Sequence, residues 1–119
     1  MESMTCITIG EIKEILDANV LCGEDLLAFT VHLAYGSDMM SEVLAFVKDT
    51  AVLLTGLCNP QVIRTAEMLD IQCIVFVRGK VPDEEMIKMA KARHICLMTT
   101  EHKMLNSCGM LYEHGLRSI

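Results

Sequence analysis

Three short apolar runs recur along the second half of the chain: AVLLTG at 51–56, CIVFVRG at 73–79 and CLMTT at 96–100. They begin 22 and 23 residues apart, and each ends in Gly or Thr. A helical pattern follows each run. In NPQVIRTAEMLD the apolar Val62, Ile63, Ala66 and Leu69 share one face. In PDEEMIKMAKAR the set is Met86, Ile87 and Ala90, and in EHKMLNSCGMLYEHG it is Met104, Leu105, Cys108, Leu111 and Tyr112. Spacings of three and four residues place each set on one helical stripe. Three β-α units in series imply a parallel sheet with right-handed crossovers. Strands apolar at consecutive positions, such as Ile74-Val75-Phe76-Val77, suit a sheet covered on both sides. The expected fold class is therefore α/β: a single domain over 1–119, with a mainly parallel central sheet and helices on both faces.

Local punctuation agrees. Asn59 is placed to cap a helix with Pro60 at its first position. Asp83, Glu84 and Glu85 follow Pro82 and favour the positive end of a helix dipole, whereas Lys88, Lys91 and Arg93 sit toward the negative end. Gly115 after His114 reads as a helix stop. The first half is less regular. Thr8-Ile-Gly-Glu11 is a capping box before Ile12, Ile15 and Leu16. A short strand is expected over Asn19–Cys22, closed by Gly23. Another is expected over Phe29–Ala34, where Phe29, Val31 and Leu33 alternate with Thr30 and His32. Gly36-Ser37-Asp38 then opens a helix carrying Met40, Val43, Leu44 and Val47, whose last charges, Lys48 and Asp49, lead into the strand at 51. No linker, low-complexity stretch or domain boundary interrupts this order.

Composition narrows the function. Hydrophobic residues make up 52% of the 119, with 10 Met and 6 Cys, and the mean hydropathy is +0.39. A domain of this size buries about two-thirds of its chain surface, which leaves apolar surface for a partner. Both-face burial of the strands absorbs part of that excess, so Phe29–Leu33 and Met39–Val47 are the segments where a homodimer surface is expected. No apolar run approaches the roughly 18 residues of a membrane span, and MESMTCITIGEIKEI lacks the basic and apolar regions of a signal peptide. The expectation is a cytoplasmic protein without a membrane partner. Cys6, Cys22, Cys58, Cys73, Cys96 and Cys108 form no CxxC pair and read as small buried hydrophobes in a reducing compartment. The net charge of -6 divides into -7 over residues 1–59 and +1 over 60–119. That excludes the basic footprint of a nucleic-acid binder but leaves room for a local anion site in the second half.

Catalytic signatures are missing. The Gly79-Lys80 pair has no Gly five residues before it and no hydroxyl after it, so it is not a P-loop. GxGxxG, GxSxG and HExxH do not occur. His94, Cys96, His102 and Cys108 match no metal-ligand spacing, so no metal and no cofactor are expected. His32 is expected to face solvent, and His114 to sit at a helix C-terminus. The adjacent pairs Ser37-Asp38 and Glu101-His102 are explained by helix capping. The chain reads as a non-enzyme.

A binding edge follows from topology instead. In open α/β sheets, ligands sit beyond the carboxyl ends of the strands, beside helix N-termini. Those ends carry Thr55, Gly56 and Asn59, then Arg78, Gly79 and Lys80, then Thr99 and Thr100. Arg64, about one turn into its helix, adds a further cation. These nine residues form a candidate site for a small phosphorylated ligand or adenine nucleotide. The competing reading is that they only end strands and cap helices.

GSDMMSEVLAF at 36–46, LLTGLCNPQVIRTAEMLDI at 53–71, IVFVRGKVPDEEMIKMAK at 74–91 and LMTTEHKMLNSCGMLYEHGL at 97–116 together resemble the DRTGG-domain family. TIGEIKEILDANVLCGED at 8–25 is similar to the family's opening, so the resemblance spans nearly the whole chain. The family's name motif is partly kept. Thr55-Gly56 and Gly79 match it, whereas Leu57-Cys58 stand at its Asp-Arg and Arg78 and Lys80 flank Gly79. Such domains are accessory units between CBS domains of some inorganic pyrophosphatases and beside some phosphotransacetylases. Their fold is similar to the N-terminal, non-catalytic domain of HPr kinase. Short copies occur in anaerobic bacteria, some beside iron-hydrogenase genes. The resemblance implies a non-catalytic regulatory module that forms a homodimer and senses a small phosphorylated ligand or nucleotide. A ligand-free interaction or assembly module with a protein partner is the alternative, and an enzyme with an unrecognised site is the second.

Overall fold

The structure is a computed structural model that describes residues 6–47 and 50–118. In chain order the elements are β1 (Ile7–Thr8), α1 (Ile9–Ile15), β2 (Asn19–Cys22), a 3-10 turn at Glu24–Leu26, β3 (Thr30–Val31), β4 (Leu33–Gly36) and α2 (Met40–Phe46). Then come β5 (Ala51–Thr55), α3 (Pro60–Met68), β6 (Cys73–Phe76), α4 (Glu84–Ala92), β7 (Cys96–Thr99) and α5 (Met104–Glu113). Lys48 and Asp49, expected to lead into β5, lie outside the described residues.

The repeated apolar runs are the centre of a five-stranded sheet of order β2-β7-β6-β5-β4. They align nearly start to start: Val52 pairs with Cys73, and Cys73 with Cys96. The four strands from β4 to β7 are parallel, and β2 closes one edge antiparallel to β7. Because β4, β5, β6 and β7 are laid down side by side, right-handed crossovers put α2, α3 and α4 on one face. That face is built from Leu53, Ile74, Phe76 and Leu97 against Met40, Val43, Val62, Ile63, Ala66, Met86 and Ala90. Val52, Leu54, Cys73, Val75, Cys96 and Met98 point to the other face, where they meet Ile9 and Ile12 of α1 and Leu111 of α5. Consecutive residues of a strand thus enter different cores, which is why the runs are apolar without alternation. Each fully buried Leu, Ile or Phe side chain contributes roughly 1.5–3 kcal/mol.

Helix ends follow the expected chemistry. Thr8 and Glu11 form the reciprocal capping box of α1, Asn59 caps α3 through Gln61 N–H, and Asp83 caps α4 through Met86 N–H. Asp17, Asp70, His94 and Gly115 take left-handed φ values of 49, 56, 57 and 103° just past α1, α3, α4 and α5, the usual way to stop a helix. His114 is the C-cap of α5, as read from the sequence.

Four expectations are revised. The strand expected over Phe29–Ala34 is two strands. β3 pairs antiparallel with β1, whereas β4 joins the main sheet and runs on to Gly36. Val31 enters the core beside α1, Leu33 enters the opposite core, and the chain bends at His32 between them. The helix expected to open at Ser37-Asp38 begins at Met40. Ser37 Oγ accepts from Met39 N–H at 3.0 Å, and Asp38 turns away toward β5. The α5 stripe is only partly core: Leu111 is buried, but Leu105 is 83% exposed and Tyr112 58%. Finally, Cys22, Cys73 and Cys96 are buried, Cys58 and Cys108 are half-buried, and Cys6 is exposed. Cys6 Sγ lies 2.9 Å from Nδ1 of His32, which is itself only partly exposed.

After α5 the chain returns to the sheet. Leu116 is buried, and Arg117 forms a parallel bridge with Leu33 on the outer edge of β4. The Arg117 carbonyl accepts from Ala34 N–H at 3.0 Å, and its guanidinium stacks 3.7 Å above the Tyr112 ring.

Candidate functional site at the carboxyl ends of the strands

β4, β5, β6 and β7 all end on one side of the molecule, as parallel strands must. Their loops are joined by backbone contacts. Asp38, just past β4, accepts through Oδ1 from Gly56 N–H at 2.6 Å and from the Thr55 hydroxyl at 3.2 Å. The same hydroxyl accepts from Leu57 N–H at 3.1 Å, which tightens the turn after β5. Oδ2 of Asp38 makes no hydrogen bond among the described residues.

Arg78 follows β6 with a φ of 60°. Its N–H donates to the His102 carbonyl at 2.9 Å, and Gly79 N–H donates to the Thr100 carbonyl at 2.8 Å. The backbone is thereby pinned, and the side chain folds over Gly56. A Cβ on Gly56 would lie 2.6 Å from Arg78 Nη2 and 3.3 Å from Asp38 Oδ2. The guanidinium and the carboxylate therefore face each other across the space that glycine leaves empty. They do not close into an ion pair: among the described residues the ion pairs are Lys13–Glu14 and Arg93–Glu67. On the far side, the Glu101 carboxylate rests against Gly79, whose φ is 69°.

These loops and the start of α5 border an open surface groove of about 490 Å³, lined by Gly36, Ser37, Asp38, Val77, Arg78, Lys103, Met104 and Leu105. That volume lies in the range of small-molecule sites. Lys103 is the N-cap residue of α5, makes no capping bond and is exposed. Neither Arg78 nor Lys103 closes an ion pair among the described residues, so the groove presents two cations beside one carboxylate.

The nine residues expected at this edge divide. Arg78 lines the groove. Thr55 and Gly56 stand behind it through Asp38. Gly79 holds the Arg78 loop in place. Lys80 is exposed, but its carbonyl accepts from the Thr99 hydroxyl at 2.6 Å. The Thr100 hydroxyl donates to the Leu16 carbonyl at 2.7 Å and is buried. Both threonine hydroxyls are thus engaged by backbone. Asn59 is engaged as the α3 cap, and Arg64 is exposed on α3; neither lines the groove. Sequence reasoning missed Asp38 and Lys103. Reading β4 through to Gly36 would have put Asp38 at this edge, whereas nothing in the sequence singles out Lys103.

Cys58, in the loop after β5, is no activated nucleophile. Burial first, then the charge of Asp83, pushes its thiol up from 9.0, against a smaller opposing effect of Lys80, so it stays protonated and unreactive at neutral pH. Among the described residues no group of three or more His, Cys, Asp or Glu side chains is disposed to hold a metal ion. No helix among them is long and apolar enough to cross a membrane.

The mostly parallel sheet, its two covered faces and its grooved loop edge define the class: a compact mixed α/β domain. Within that class, residues 11–113 match the DRTGG domain, and the chain belongs to the DRTGG-domain family. No curated protein matches it. Among solved structures, it is similar in fold to the CBS and DRTGG domains of the regulatory region of Clostridium perfringens pyrophosphatase, complexed with the activator diadenosine tetraphosphate. The TM-score is 0.68 at 16% identity, over 93% of this chain and 50% of that one. This chain therefore spans half the length of that regulatory chain.

Proposed function

We propose that this chain is a non-catalytic regulatory module of the cytoplasm that homodimerises and binds a small phosphorylated ligand or nucleotide at the carboxyl ends of its strands. The observation that carries this reading is the groove of about 490 Å³ in which Arg78 and Lys103 stand without an ion pair among the described residues. Cations free of an ion pair are suited to phosphate, and Arg can engage it with two donors at once. The pyrophosphatase regulatory region, similar in fold, holds a dinucleotide activator, which supports a nucleotide as the ligand. Isothermal titration calorimetry against nucleotides and phosphorylated metabolites tests it. Arg78→Ala and Lys103→Ala are each expected to weaken the binding by about tenfold. Silence of the unaltered protein across a broad panel would remove the ligand half of the proposal.

A second reading, an assembly module without a ligand, is favoured by the exposure of Phe29, Met39, Leu44 and Phe46. In that case a protein partner covers these residues, and the groove stays empty in the complex.

A further inference from the structure

The groove carries unlike charges side by side. Arg78 and Lys103 are cationic; Asp38 is anionic and only half used. Oδ1 is committed to Gly56 N–H and the Thr55 hydroxyl, so it is held in place by β5. Oδ2 makes no hydrogen bond among the described residues and lies across Gly56 from Arg78 Nη2. A bare phosphate would satisfy Arg78 and Lys103 but would meet the Asp38 carboxylate as a like charge. The favourable partner for Oδ2 is a hydroxyl donor attached close to the phosphate. Met104 and Leu105 add apolar lining beside these charges. A carboxylate beyond a strand end that accepts sugar hydroxyls is an established way for α/β sheets to read ribose.

Resting on the reading of this edge as a phosphate-ligand site, we propose that the groove recognises a ribose phosphate unit, free or within a ribonucleotide. The phosphate lies between Arg78 and Lys103, and the sugar hydroxyls donate to Asp38 Oδ2. Asp38 is then the residue that sets specificity, because it repels inorganic phosphate and accepts from the sugar.

Titration calorimetry on the full chain tests this with AMP, 2′-deoxy-AMP, ribose 5-phosphate, 2-deoxyribose 5-phosphate and inorganic phosphate as probes. AMP and ribose 5-phosphate are expected to bind about tenfold or more tightly than their deoxy counterparts, since a hydrogen bond to a charged group is lost. Inorganic phosphate is expected to be weaker still. Tighter binding of AMP than of ribose 5-phosphate would mark the nucleotide as the source, and equal binding the free sugar phosphate; both support the proposal. Asp38→Asn keeps an acceptor for Gly56 N–H and is expected to narrow the hydroxyl preference to less than about threefold. The ligand comparison uses the unaltered protein and does not depend on that variant folding. Phosphorylated probes that bind alike with and without the hydroxyl would overturn the role of Asp38 while leaving a phosphate site. No binding of any probe would overturn the site itself.

Discussion

At the scale of single residues, Arg78 and the glycines around it carry the most information. A non-glycine residue in the left-handed region costs roughly 1–2 kcal/mol, and Arg78 holds that conformation with a φ of 60°. Arg78→Gly removes this cost but gives the unfolded chain extra freedom worth about 0.5–1 kcal/mol. Its stability in urea is therefore expected to stay within about 1 kcal/mol of the parent, while its affinity for phosphorylated probes falls. Gly56→Ala acts differently. The added methyl would meet the flexible tip of Arg78 rather than backbone, so the side chain swings away and binding weakens with little change in thermal midpoint. Gly23→Ala is expected to be damaging, by more than about 1 kcal/mol, because φ is 85° and the new Cβ would lie 2.6 Å from the Cys96 Cα. The cysteines add a pH dependence. Burial pushes the Cys22, Cys58 and Cys108 thiols up from 9.0. Contact with Cys96, followed by full burial, pushes Cys73 well up. The same contact lowers Cys96 and offsets part of this effect, but for the other four thiols the unfolded form ionises first as pH rises. Stability is expected to be complete below about pH 9 and to decline above it, which a series of thermal melts from pH 7 to about pH 11 would show.

At the scale of elements, the caps make the clearest prediction. Thr8 accepts from Glu11 N–H at 3.0 Å, and Glu11 Oε1 accepts from Thr8 N–H at 2.9 Å. Thr8→Ala is expected to cost about 1 kcal/mol, measured by chemical denaturation. Much of the fold was legible because local chemistry and tertiary environment agree. The runs at 51, 73 and 96 are apolar at consecutive positions since both faces of the sheet are covered, and Asn59, Asp83 and Gly115 stand where helix ends need them. The segment from Phe29 to Gly36 was misjudged because its alternation is real on each side of His32 but serves two different sheets. Side-chain period alone does not reveal a change of partner. The candidate site was half legible. Arg78 could be found from its place after a strand. Asp38 could not be separated from a capping residue, because its partner, Gly56, is 18 residues away in sequence. Lys103 resembles any solvated loop lysine until α5 is seen to start against the end of β4.

At the scale of the whole molecule, the question is how copies meet. Phe46 is 55% exposed on α2, and Met39 and Leu44 lie near it in sequence at 56% and 40%. If this is the surface of the proposed homodimer, the parent sediments as a dimer at micromolar concentration and Phe46→Glu shifts it to monomer. A monomeric parent would count against that half of the proposal. The bridge between Leu33 and Arg117 bears on the same question. An open parallel edge invites another strand, and with it sheet-to-sheet growth from one molecule to the next. Here the chain's own return segment occupies the outer rim of β4 where that growth would begin, with Ala34 N–H already spent on the Arg117 carbonyl. The Arg117 segment thus takes up part of the β4 edge, at Leu33 and Ala34, that another strand would need.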